Sequence, residues 1–177
     1  MRRFINWLIS LIKSFNKIKN STVVLPKDVA ENEKLCRAIF SPINVDNKGN
    51  LKSNSFRTPP EKDEVSVNRL DYTNSNYCKS EAKKNENPHK DRNYYGFAII
   101  QQIEILTVGC NTIYSPIAEP LDSINPFHAD IKIGYVPKKG EELPSRFRKK
   151  VDDMVKYARF YKDPEPNTNN WVGKELN

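Results

Sequence analysis

The sequence predicts an α+β domain: a mostly antiparallel sheet of four to five strands, an N-terminal amphipathic helix and a C-terminal basic amphipathic helix. Three observations point to it. Residues 3–19 and residues 144–161 both carry apolar side chains at helical spacing. Between them, short β-branched and aromatic runs are separated by proline, glycine and asparagine turns. Strands grouped in the middle, with helices at the ends, fit α+β rather than alternating βα units. The expected organisation is an amphipathic helix over 1–20, one domain over 22–162 and an irregular tail over 163–177.

Residues 3–19 place Phe4, Trp7, Leu8, Leu11, Ile12, Phe15 and Ile18 on one broad face, with Asn6, Ser10, Lys13, Ser14 and Lys17 opposite. Three roles fit such a face: packing on the domain core, lying in a membrane interface with Trp7 and the cations at headgroup level, or docking on a partner chain. The contact set for the latter two is Phe4, Trp7, Leu8, Leu11 and Phe15. The segment has the basic start and short apolar core of a signal peptide, but no small-residue cleavage site, so it reads as retained.

Asp28 opens a short helix, with Glu31 as its capping-box partner. Leu35–Phe40 reads as a buried strand closed by Ser41-Pro42, followed by turn chemistry around Gly49. Leu51–Thr73 brings Phe56 into a second turn at Thr58–Asp63 and then a strand at Val65-Ser66-Val67. A helix is expected over Ser75–Lys84 within an Asn-, Ser- and Lys-rich stretch. Tyr94–Val108 suits one long strand or a bulged pair, ended by Gly109. Thr112–Ile117 and Ala129–Val136 are the next strands. Pro144 starts a helix running to about Tyr161, its apolar face made by Phe147, Val151, Met154, Val155, Ala158 and Tyr161. Trp171 is the anchor expected for the tail. Phe56, Val67, Phe97, Ile99, Ile103, Ile131 and Ile133 should share one core.

The composition is 37% hydrophobic and 29% charged, enough for one modest core and a large polar surface. The net charge of +7 belongs to the ends. Residues 1–20 hold five cations and no acid, and 144–162 hold seven cations against two acids. An anionic partner for the termini, nucleic acid included, is therefore favoured over a basic groove through the middle. Cys36, Cys78 and Cys110 share no CxxC spacing, which points to no disulfide framework or zinc site and to a reducing cytoplasm. The membrane reading of residues 1–20 adds a peripheral position at the inner face of the membrane. No apolar run approaches the eighteen residues of a membrane span.

The order of residues resembles a group of short uncharacterised bacterial proteins. The resemblance is carried by Leu35-Cys36-Arg37, Ser53–Pro60 (SNSFRTPP), Glu61–Glu64, Val65-Ser66-Val67, Gly96-Phe97-Ala98 and His128-Ala129-Asp130-Ile131. It covers roughly residues 33–133, leaves out both basic ends, and implies a domain without implying an activity.

His128 and Asp130 alternate on a predicted strand and so share a face. A histidine oriented by a carboxylate can act as a general acid or base; the competing reading is a loop-edge histidine that satisfies a backbone group. Arg37, Arg57 and Arg69 lie on or beside strands, where they can converge on an anion or pair with acids such as Asp63, Glu64 and Asp71. Ser66 would be a nucleophile only if it met His128; with no GxSxG elbow it reads better as a solvent-facing strand serine. The last helix shows a basic face of Arg148, Lys149, Lys156 and Arg159, suited to solvent, nucleic acid or acidic lipid. With His89 the only other histidine, no metal site is expected, and no P-loop, dinucleotide fingerprint or HExxH calls for a cofactor. The expected function is a binding or interaction module: a central domain holding an anionic ligand, and residues 1–20 docking on a membrane surface or protein partner. The alternative is an enzyme acting on a phosphate- or nucleotide-bearing substrate, with His128 as general acid/base.

Overall fold

A computed structural model describes residues 25–120 and 123–177. The amphipathic segment 1–20, with Phe4, Trp7, Leu8, Leu11 and Phe15, lies outside the described residues. The described chain is α+β, built on one antiparallel sheet of six strands: β1 (Lys34–Pro42), β2 (Val65–Arg69), β3 (Arg92–Gln101), β4 (Asn111–Tyr114), β5 (His128–Lys132) and β6 (Arg159–Lys162). Their order is β4-β5-β2-β1-β3-β6. The helices are α1 (Ser75–Lys84), α2 (Gln102–Thr107) and α3 (Ser145–Tyr157).

The strand count exceeds the expected four to five because the last helix is shorter than its apolar periodicity suggests. Helix α3 stops at Tyr157, Ala158 turns extended, and Arg159–Lys162 pairs with β3 in the register Gly96↔Lys162 to Ile99↔Arg159. Phe160 stacks on Tyr95, with ring centroids 6.1 Å apart. The pairing needs a close approach at Gly96, whose φ is +155°; a Cβ there would sit 2.2 Å from the Tyr161 carbonyl oxygen. Gly96→Ala is therefore expected to cost about 1–3 kcal/mol or more, read as a lower urea midpoint.

Tyr94–Val108 is not one strand. Gln101 caps α2 through a reciprocal pair with Glu104, whose Oε2 accepts from the Gln101 amide at 2.7 Å. This turns the chain out of the sheet and leaves Ile103 at the surface. In place of the expected capped helix, the chain bends at residues 27–28 and turns at 31–32.

The core is divided by the sheet. Strand alternation sends Leu35 and Ile100 to one face, where they meet Phe56, Val67, Ile131, Ile133 and the Phe147, Val151 and Met154 stripe of α3. Cys36, Phe97 and Ile99 face the other side, against Cys78 and Ala82 of α1 and against Leu176 of the tail. The residues expected in one core thus belong to two, with Ile103 in neither. Residues 163–177 form no helix or strand, yet they are held by more than Trp171. Trp171 packs on Phe97 at 5.2 Å, Leu176 is buried, and the fully buried Lys79 ammonium reaches the Asp163 carboxylate (2.8 Å) and the carbonyls of Glu165 (2.9 Å) and Asn170 (2.7 Å). All three cysteines are buried and free. Among the described residues no helix is long and apolar enough to cross a membrane.

Candidate anion-binding site

Strands β1 and β2 pair only at Leu35↔Arg69 and Cys36↔Asn68. Past that point Arg37 bonds across the opened seam: its Nη1 donates to the Ser66 carbonyl at 2.8 Å and its Nε to the Ser55 carbonyl at 3.1 Å. These two bonds orient the guanidinium at the wall of a cavity of about 380 Å³. The end of α1, the start of β3 and the loop leading to β5 complete the wall, contributing Lys84, Asn85, Arg92 and Asn125. His128 and Ser66 line it as well.

Arg92, not anticipated from the sequence, is the second guanidinium in the cavity. It lies over the Phe40 ring at 4.3 Å, and its buried Nε has no hydrogen-bond partner. Burial lowers its pKa. Burial also lowers that of Arg37, to about 10, with the charge of Arg92 adding to the effect and that of Asp130 opposing it. Both remain cations at neutral pH. Among the described residues neither forms an ion pair. Lys84, by contrast, is matched by Glu81 at 2.6 Å.

His128 and Asp130 share the β5 face, as strand alternation requires, opposite Asn68 and Ser66 of β2. The serine at the histidine is Ser115 rather than Ser66. Nδ1 of His128 lies 2.8 Å from the Ser115 carbonyl, so this nitrogen carries the proton and donates it. The Ser115 hydroxyl donates to Asp130 Oδ2 at 2.6 Å, and Nε2 stands 3.7 Å from Asp130 Oδ1. A nucleophile relay has the histidine accept from serine while the carboxylate orients the histidine. Here the serine is turned to the carboxylate and the histidine is oriented by a backbone carbonyl. Nε2 is the nitrogen left for a ligand or a proton transfer.

The three arginines singled out in the sequence do not converge. Arg69 is fully buried and held by four hydrogen bonds: Nε and Nη2 engage Glu33 at 2.5 and 2.7 Å, Nη1 donates to the Pro26 carbonyl, and Nη2 also reaches the Asp28 carbonyl at 3.1 Å. Its guanidinium lies between the rings of Tyr72 and Tyr114. The hydrogen bonds that it donates to the Glu33 carboxylate raise its pKa. Arg57 donates to the Glu141 carbonyl at 2.7 Å beside a separate hollow of about 260 Å³, where Glu142 and Asp152 offset Arg148.

The basic helix face is partly matched as well, by Arg148–Glu142 at 2.9 Å and Lys156–Asp153 at 2.7 Å. His89 sits in the short turn Pro88–Lys90, outside the cavity lining. Among the described residues no cluster of three or more His, Cys, Asp or Glu side chains is placed to hold a metal.

In sequence Arg92 reads only as a cation of the polar stretch before the expected strand Tyr94–Val108; nothing local marks it as lining a cavity with Arg37, which precedes it by more than fifty residues. Asn68 and Asn125 carried no signal beyond a general richness in asparagine. Comparison of the chain with models of known families, with curated proteins and with solved structures finds no match, so the geometry of this cavity is what the functional reading rests on.

Proposed function

We propose that the domain binds a small anionic ligand in the cavity lined by Arg37, Arg92 and His128. The observation that carries the reading is a pair of guanidinium groups on one concave wall, neither of them in an ion pair among the described residues. Two like charges brought together in a partly desolvated site repel each other, and an anion between them relieves that cost. Thermal unfolding of the full chain with added inorganic phosphate or sulfate tests it. The melting temperature should rise with anion concentration, and the rise should be much smaller in Arg92→Gln; among the described residues the Arg92 side chain has no hydrogen bond to lose. Equal rises in both proteins would place anion binding elsewhere.

In this reading residues 1–20 serve as a docking element for a membrane surface or a protein partner, supported by the wide apolar face and the five cations. Trp7→Asp with Leu11→Asp in the full chain should abolish co-sedimentation with anionic vesicles if the target is lipid. It should leave anion binding in the cavity intact. Loss of folding in this variant would instead identify the segment as core.

A second reading, an enzyme acting on a phosphate-bearing substrate, is favoured by one observation: His128 lines the same cavity as both arginines. Nε2 would then serve as general acid or base beside guanidinium groups placed to stabilise developing charge. His128→Ala should lose turnover while Arg92-dependent ligand binding persists, weakened by no more than the loss of the Nε2 contact.

A further inference from the structure

On the footing of the anion-binding reading, we infer that the ligand of this cavity is a small phosphomonoester, its phosphate held between Arg37 and Arg92 and its organic part set against Asn68. Charge is the first argument. A monoanion neutralises one guanidinium and leaves the other, whereas a phosphate dianion answers both. Burial is the main cause of the lowered Arg37 pKa; the charge of Arg92 adds to it, and Asp130 offsets part of the effect.

Shape is the second. Tetrahedral phosphate offers three terminal oxygens, enough for two planar guanidinium forks and for His128 Nε2. The nitrogen can accept from a protonated phosphate oxygen or, when protonated, donate to an ionised one. A carboxylate offers two oxygens in a plane.

The organic half of the site is also built. Asn125 is buried and held in place: its Oδ1 accepts from the Tyr77 hydroxyl at 3.3 Å and from the Phe127 amide at 3.1 Å. Its Nδ2 donates to Asn68 Oδ1 at 2.8 Å. That bond fixes the Asn68 carboxamide with its oxygen engaged and its two N–H donors, unpartnered among the described residues, left for a ligand acceptor. Asn68 lies directly across the strand pair from His128, so the donor and the phosphate-side histidine are neighbours. A sugar hydroxyl or a base carbonyl is the kind of group such a donor reads.

Size argues against a nucleic-acid strand. About 380 Å³ belongs to the range of small-molecule sites. Strand binding calls for a basic track with stacking rings along it, and here the track is interrupted by the sheet. The cations of α3 lie with the helix that covers one face, whereas the cavity is walled by α1 on the other. The phenyl ring in the wall, that of Phe40, already lies beneath Arg92.

Calorimetric titration of the full chain with inorganic phosphate, adenosine 5′-monophosphate, ribose 5-phosphate, malonate and a 12-nucleotide single-stranded RNA tests the inference. Inorganic phosphate should bind at one site. At least one of the two esters should bind more tightly than phosphate and displace it. Arg92→Gln, with its melting temperature in the absence of ligand as the folding control, should weaken phosphate about tenfold or more, the worth of a charge-assisted hydrogen-bond pair. Arg92→Lys, which keeps the charge without the fork, should fall between. Asn68→Ala should weaken the ester and leave inorganic phosphate unchanged.

Malonate binding as tightly as phosphate, with the same Arg92 dependence, would overturn the phosphate assignment while leaving the anion site standing. RNA that outcompetes phosphate for the cavity, or esters no tighter than phosphate, would overturn the small-ester assignment in the same way. No Arg92-dependent binding of any of these anions would remove the anion-binding reading itself.

Discussion

Arg69→Ala is expected to destabilise the domain by about 3–5 kcal/mol, the usual consequence of removing one partner of a buried ion pair. Arg92→Gln should change stability by no more than about 1 kcal/mol. Urea unfolding of the two variants measures both. The contrast follows from what each guanidinium touches. Arg69 is 0% exposed and its removal leaves Glu33, 2% exposed, as an uncompensated charge. The same side chain ties residues 26–28 to the end of β2 through the Pro26 and Asp28 carbonyls, so the strap before β1 should loosen as well. Glu33→Ala should be comparably damaging. Replacing both partners with apolar residues of similar volume should recover much of the loss. An Arg69→Ala variant as stable as wild type would mean that the buried pair is not formed.

Asp163→Ala carries the second large expectation: a loss of about 3–5 kcal/mol, together with release of the tail. Lys79 is 0% exposed, and its ammonium is shared between the Asp163 carboxylate and acceptors at Glu165, Thr168 and Asn170. Without the carboxylate a lone buried cation remains. It is most readily relieved by water entering between α1 and the tail. Trp171 would then leave Phe97 and Leu176 would leave the second core cluster. Limited proteolysis should cut within 164–177 in the variant and not in the wild type. An intact tail at wild-type stability would show that the Lys79 contacts do not hold it.

These two buried pairs show where sequence reasoning reaches and where it stops. Helix α1 lies where the sequence places a helix, and the structure supplies a local reason that the sequence reading did not use: Asn74 Oδ1 accepts from the Tyr77 amide at 2.9 Å. Strands β1, β2 and β5 were legible from short apolar runs, and the shared face of His128 and Asp130 followed from alternation alone. Strand β6 was not, because Arg159–Lys162 continues the apolar spacing of α3 and only pairing with β3 draws it out of the helix. Helix α2 was hidden by its cap, a glutamine in place of the usual serine, threonine or aspartate.

The arginines mark the sharpest boundary. Arg37, Arg57 and Arg69 look alike in sequence, each beside a strand. Long-range partners separate them: Glu33 for one, the Glu141 carbonyl for another, and for Arg37 a seam in the sheet that brings it to a cavity with Arg92. No local pattern encodes that seam. The same holds for Lys79, whose surroundings in sequence are those of a solvated helix and whose partners come from a tail about ninety residues later.

The most direct test of the anion site is a side-chain NMR titration that follows the arginine Nε–Hε resonances of the full chain as inorganic phosphate is added. Arg37 and Arg92 should shift together along one saturable curve, with the His128 ring moving alongside, while Arg57 and Arg69 stay fixed. Shifts confined to Arg146, Arg148 and Arg159 on or beside the basic helix, with Arg37 and Arg92 unmoved, would contradict the account.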